Sequence, residues 1–239
     1  MLPSFSMRSR MVLFLLPLPL FAFFLWLKFA HVEIYYRIIQ EDHILEYQQF
    51  VFYFLAGLIC FPLARKFLGA GFRLHGVLYS GLALLLLFVA FNEISWGQRI
   101  FGFETPEIIA ERNVQDELTF HNLEFIQRRL HPAYILVGAF GAFAWLLRMP
   151  FRLSDGSVWR YVIPNWYVSS WFFFLFLIYS IIEIARVFEP TILGFEIAIG
   201  SYVVYRDQEP AESFLATAFL LFVIDNYRSA SRLLDSSSA

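Results

Sequence analysis

Residues 81–106 read GLALLLLFVAFNEISWGQRIFGFETP. The first eleven are apolar or glycine, and the apolar run continues backwards to residue 74. A bilayer with a hydrocarbon layer of about 30 Å needs about 20 such residues in a helix. The run then stops, and Glu93, Trp96, Gln98 and Arg99 arrive within seven residues. A membrane helix therefore ends where a carboxylate, an indole, a carboxamide and a guanidinium gather. That reading places the protein in a membrane and its polar chemistry at the membrane's edge.

Composition agrees. Of 239 residues, 59% are hydrophobic, 30 are Phe and only 16% are charged. Soluble domains are nearer one quarter charged. A net charge of −2 gives no footprint for nucleic acid. The single cysteine, Cys60, lies in an apolar run and excludes an intrachain disulfide and any multi-cysteine metal or redox site.

The fold class that follows is all-α: a polytopic bundle forming one integral membrane domain over 1–239. Six spans are expected, at about 11–29, 47–63, 74–92, 132–148, 166–186 and 212–226. Residues 7–30, MRSRMVLFLLPLPLFAFFLWLKFA, have a basic start and an apolar centre but no clear small-x-small cleavage site. They read as an uncleaved first span, kinked at Pro17 and Pro19. The second and last spans are short and should extend into their polar flanks.

Basic residues set the orientation. With the N-terminus inside, the inner segments carry Arg8, Arg10, Arg65, Lys66, Arg73, Arg148, Arg152, Arg160, Arg228 and Arg232. Of the acids, only Asp155, Asp225 and Asp235 fall inside. Both termini are then cytoplasmic, in a plasma or bacterial inner membrane, and the outer face is acidic. Trp26 and Trp96 fall near the outer interface, and Trp145, Trp159 and Trp166 near the inner one.

The outer segment 93–131 holds two helix starts. Thr105 caps one, with Pro106 at its first position. Asn113 caps the other, with Asp116 three residues on. Along the second, Glu117, His121, Glu124 and Arg128 share a face opposite Val114, Leu118 and Phe125, which makes an amphipathic helix at the interface. Glu117 and His121, four apart, can co-ligate a divalent cation. A solvated face with internal ion pairs explains the same stripe. The third outer segment, 189–212, is apolar, β-branched and glycine-punctuated, which fits a short hairpin or half-helix. Acids precede an apolar run in both EDHILEYQQFVFYFL and DQEPAESFLATAFLLF, as an inverted repeat or the helix dipole would favour.

Four spans bring acids to the outer border: Glu46, Glu93, Glu183 (with Arg186) and Glu212. A charge left in lipid costs about 2.5–3.5 kcal/mol on insertion scales. Such residues face one another or a wet cavity, so a single polar pocket is expected there. In SWGQR, Gly97 permits a tight turn, Trp96 anchors at headgroup depth, and Gln98 and Arg99 offer donors to phosphate or carboxylate. An interfacial turn in which Arg99 neutralises Glu93 or Glu104 is the plainer alternative.

EISWGQRIFGFETP, then NVQDELTFHN, with EDHILEY upstream, resembles a group of uncharacterised bacterial multi-span membrane proteins with an E-x-S-W-G-Q-R and N-x-Q-x-E…H-N signature. The match covers roughly residues 40–132. The group has no established activity, so the resemblance implies kinship of fold and no reaction. It singles out Glu93, Trp96, Gly97, Gln98, Arg99, Asn113, Gln115, Glu117, His121 and Asn122.

There is no G-x-S-x-G, H-E-x-x-H or P-loop pattern. The leading expectation is an outer-leaflet site that binds or processes a phosphate-bearing lipid or lipid-linked group, with a divalent cation as its candidate cofactor. Glu93, Glu117 and His121 would be catalytic, with Glu117 and His121 as metal ligands. Trp96, Gln98, Arg99, Glu46 and Glu212 would bind substrate, and Glu93, Arg99 and His121 would meet. A structural partner binding another protein through acidic outer loops is the alternative. A cation- or proton-coupled transporter is a third; the nearly pure apolar span interiors weigh against it.

Overall fold

Pro17 breaks the first apolar run as expected. Helix α1 (Met7–Leu15) and helix α2 (Pro17–Ala30) meet at Leu16. Proline has no N–H, so Pro17 leaves the carbonyl of Leu13, four residues back, without its helical donor. The indole nitrogen of Trp171 donates to that carbonyl at 2.9 Å. A bilayer offers no water to do this, so a neighbouring helix must.

The structure, a computed structural model, describes residues 5–40, 44–102, 124–148, 157–187, 191–192, 195–196 and 205–236. After α2 come α3 (Val32–Ile39), α4 (Ile44–Gly69) and α5 (Arg73–Glu93). A 3-10 turn at Ser95–Gly97 leads into α6 (Gln98–Phe101). Next are α7 (Glu124–Phe143), which runs on as a 3-10 helix through Arg148, then α8 (Val158–Val162) and α9 (Trp166–Val187). A 3-10 turn at Tyr205–Gln208 opens α10 (Glu209–Ser236). Between α9 and α10, Thr191 pairs with Glu196 and Ile192 with Phe195, antiparallel, where a short hairpin was expected. The fold class is all-α.

Among the described residues, five stretches are long and apolar enough to cross a membrane: Met7–Ala30, Val32–Gly69, Arg73–Glu93, Arg129–Arg148 and Trp166–Ile184. The sixth expected span, 212–226, lies within helix α10 but does not reach that apolarity. The reason is its position. No described side chain of α10 is exposed, because α4 and α9 pack along it. A helix shielded by protein is free to carry Glu209, Glu212, Asp225 and Asn226. As expected, α4 and α10 extend well beyond the short runs 47–63 and 212–226.

One boundary differs from expectation. The interfacial helix and the fourth span were to part near residue 131. Instead α7 is continuous from Glu124, with Pro132 inside it. The segment EFIQRRLH contains no helix breaker, and an internal proline bends a helix without having to end it. The upstream part of the amphipathic stripe, with Glu117 and His121, lies outside the described residues, as do Thr105, Pro106 and Asn113.

Packing between spans relies on close approach. A Cβ at Gly138 of α7 would lie 2.7 Å from the backbone nitrogen of Phe176 in α9, and one at Gly141 would lie 2.1 Å from the Phe172 ring. Lipid tails are as apolar as leucine, so such contact, rather than water exclusion, holds membrane helices together.

At the end of the bundle where α9 begins, polar groups from four helices form a hydrogen-bonded network. Tyr167 and Asn165 both donate to Asp225 of α10. Arg148 donates to the Asn165 side-chain oxygen, to the Ile163 carbonyl, and to the Arg160 carbonyl at 2.6 Å. Tyr79 and Asn226 donate to the Tyr161 carbonyl at 2.7 and 3.2 Å. This network fastens the loop after α8 to α7, α5 and α10.

A buried carboxylate cluster as candidate functional site

The opposite end is built from helix termini. Glu46 lies in the first turn of α4, and Glu209 and Glu212 in the first turn of α10. There the helix dipole favours an anion. Glu93 is the last residue of α5, where the same dipole disfavours it. Local helix stability therefore accounts for three of the acids and not for the fourth. Glu93 lies within electrostatic reach of Glu212, Glu209 and Glu46. The fold thus brings Glu46, Glu93 and Glu212, expected to face one pocket, to the same end of the bundle.

Tyrosines line it from below. Tyr53 of α4 lies within reach of Glu93 and Glu212. Tyr134 of α7 lies within reach of Glu212, Glu93 and Glu209. The Tyr179 hydroxyl of α9 donates to Glu212, and its ring packs against that of Tyr134, tilted by 41° with centroids 4.7 Å apart. Beside it, His131 Nδ1 sits 2.5 Å from Glu183, and the imidazole meets Tyr179 edge-on at 5.2 Å. Glu183 is therefore tied to the cluster through His131 and Tyr179.

Gln49 supplies the most informative atom. The residue is wholly buried. Its Nε2 donates to the Glu209 carboxylate at 3.2 Å and lies 3.4 Å from the Glu209 carbonyl. Both partners are acceptors, so the amide cannot be turned around. Its Oε1 is left with no partner. A buried acceptor without a donor costs about 1–3 kcal/mol. Among the described residues, no Lys or Arg pairs with Glu93 or Glu212. Among the described residues, Glu212 accepts from the Tyr179 hydroxyl and Glu209 from the Gln49 amide. Next to it, Ser213 donates to Gln48, and the start of α10 is pinned by Lys28 and by Tyr35, which both bond Asp207.

The SWGQR turn follows Glu93 directly. Ser95, Trp96 and Gly97 have φ of 48°, 55° and 77°. Three successive left-handed residues, two of them not glycine, cost about 1–2 kcal/mol for each side chain. A Cβ on Gly97 would in addition lie 2.9 Å from the Phe101 ring. Trp96 stacks on Phe91 at 5.6 Å and meets Phe88 edge-on at 5.7 Å. The turn thus seats the indole on α5 and starts α6 at Gln98. The backbone of Arg99 belongs to α6; its side chain lies outside the described part, as does that of Arg186. Glu117 and His121 lie outside it too, so the expected meeting of Glu93, Arg99 and His121 falls beyond these residues. No group of three or more His, Cys, Asp or Glu able to hold a metal ion occurs among the described residues.

Sequence reading passed over Gln49, Tyr53, Tyr134, Tyr179, His131 and Glu209 as site residues. A signal existed. Glu46, Gln49 and Tyr53 are spaced i, i+3, i+7; His131 and Tyr134 are three apart; Tyr179 and Glu183 are four apart. Each set is one helix stripe descending from the border into the bundle. Among 48 aromatic residues (30 Phe, 12 Tyr and 6 Trp) the tyrosines did not stand out. No protein-family model, no curated protein and no solved structure matches the chain.

Proposed function

We propose that this membrane protein binds a cation within the bilayer border, at the carboxylates of Glu93 and Glu212, as part of cation- or proton-coupled work. The observation that carries the reading is the orphan side-chain carbonyl of Gln49, whose amide nitrogen bonds the carboxylate of Glu209, an acid within electrostatic reach of Glu93. Acceptors gathered this way in a low dielectric require positive charge, because bare like charges repel strongly. A carboxylate pair takes up either a proton or a metal ion, so both belong in the test. Intramembrane acids of this kind mark proton and ion routes. The arginine pattern supports an outward-facing site with both termini cytoplasmic. Cysteines introduced at Ser95 and Ser236 should then label from opposite sides; same-side labelling removes that orientation.

The binding test is thermal unfolding of purified protein across pH and a series of Na⁺, Mg²⁺, Mn²⁺ and Zn²⁺. A cation at a hundredfold excess over its Kd adds about 2.7 kcal/mol, which for a chain of this size raises Tm by roughly 5–10 °C. One cation should do so for the natural protein and not for Glu93→Gln/Glu212→Gln. Identical responses from the two proteins end the proposal.

A second reading rests on the strained turn. Backbone strain of this sort clusters at functional sites. Here it fixes where Gln98 and Arg99 begin, one turn from Glu93. Through a bound divalent cation, the same site would take a phosphate-bearing lipid or lipid-linked group, with Arg99 holding the phosphate as a fork. Arg99→Lys should then abolish complementation of a deletion strain at normal protein levels. If the site serves protons alone, Arg99→Lys should complement fully.

A further inference from the structure

A groove of about 260 Å³ runs between α2 and α9, away from the carboxylate cluster. Phe24 of α2 and Ile178 and Ile182 of α9 give it apolar walls, and Lys28, Tyr35 and Asp207 line its polar end. From Phe21 to Lys28 the α2 wall is about 10 Å long at 1.5 Å per residue. The first span is the least buried of the five, so this groove opens onto the bundle's outer surface. Beside it Phe29, Leu25 and Ile181 are exposed, and the medium they meet in a membrane is lipid.

The polar end is what separates this groove from ordinary lipid-facing surface. Lys28 is 16% exposed, and among the described residues only Asp207 accepts a hydrogen bond from it. An ammonium has three donors. It also lies two residues before the end of α2, at the depth where a span gives way to the interface. Lipid tails are as apolar as the groove walls, so the walls alone confer no preference for one lipid over another. A preference has to come from an oxygen acceptor placed at Lys28.

We propose that the α2–α9 groove seats one acyl chain of a membrane phospholipid, whose phosphate oxygens take the free donors of Lys28. The bundle carries its own comparison. A second groove of about 330 Å³ lies between α7, α9 and α10, walled by Leu136, Phe140, Phe172, Phe219 and Phe222 and with no charged residue in its lining. It is similar in size and lacks the polar end. It should take lipid without choosing among lipids.

The test uses the full chain in nanodiscs with phosphatidylglycerol carrying a photoreactive diazirine in its acyl chain, and a diacylglycerol probe with the same chain and no phosphate. Cross-links are mapped by mass spectrometry. The phospholipid probe should label α2 and α9 at the groove at least fivefold more than the diacylglycerol probe does, with no such ratio at the second groove. Lys28→Met should remove that ratio. Ile182→Trp, which fills the groove and leaves the Lys28–Asp207 pair alone, should abolish labelling there, and Leu136→Trp should leave it unchanged. Equal labelling by the two probes at the α2–α9 groove overturns the proposal, as does labelling that survives Ile182→Trp.

Discussion

Two acids of one helix, Glu212 and Asp225, sit at opposite ends of the bundle and are treated in opposite ways. Asp225 is met by Asn165 and Tyr167, and through Asn165 by the guanidinium of Arg148. The protein itself satisfies that carboxylate. Glu212 has the hydroxyl of Tyr179 and otherwise the neighbourhood of Glu93 and Glu46. The same residue class is closed by protein at one end and, under the function proposed above, left to an incoming cation at the other. A buried acid is thus a fastener or a site according to who supplies the counter-charge.

Four substitutions break or sharpen that contrast. The largest effect is expected from Arg148→Ala, which strips donors from three carbonyl oxygens and from the Asp225 network. Removing one partner of a buried charge network costs about 3–5 kcal/mol. Size-exclusion profiles and thermal unfolding should show mostly aggregated or markedly less stable protein; a Tm within a degree or two of the natural one would mean that the network is ornamental. Gly97→Ala comes next. It forces a side chain into φ 77° and toward the Phe101 ring, for about 1–2 kcal/mol. Fluorine NMR of 5-fluorotryptophan protein, with the Trp96 resonance assigned through Trp96→Phe, reads the turn directly, and an unchanged Trp96 shift would deny its dependence on glycine.

Trp171→Phe should cost about 1 kcal/mol, since interhelical hydrogen bonds in membranes are worth about 0.6–2 kcal/mol. A larger loss would show that the indole's packing against Phe214 outweighs its bond to Leu13. The smallest stability change belongs to Glu93→Gln, which removes a charge from among like charges. Its Tm in the absence of added cations should match or exceed the natural value, while cation response disappears. A clear destabilisation would place Glu93 with Asp225 as a fastener.

Much of this was legible from the residues. Apolar run length gave five of the six expected spans, and Pro17 gave the kink. The cost of charge in lipid pointed to Glu46, Glu93 and Glu212 as neighbours, and Glu93 does lie within electrostatic reach of the other two. What escaped were partners set by tertiary contact: Gln49, 160 positions from Glu209, and Tyr179 below Glu212. Their stripes have helical spacing, but a Tyr in an aromatic-rich chain reads as packing until its hydroxyl is seen to meet an acid. The run of α7 through residue 131 escaped for another reason: proline is weighed as a helix end, and a membrane lets it stay inside.

The bond from Trp171 to Leu13 also orders events in time. The first span leaves the insertion machinery with an open carbonyl at its kink, and its donor is encoded more than 150 residues later. Until the fifth span enters the bilayer, that defect stays unsealed, a mark that separates half-built chains from finished ones. A chain stopped after Arg148 should therefore be degraded faster in pulse-chase than one stopped after Val187, and Trp171→Phe should erase part of the difference.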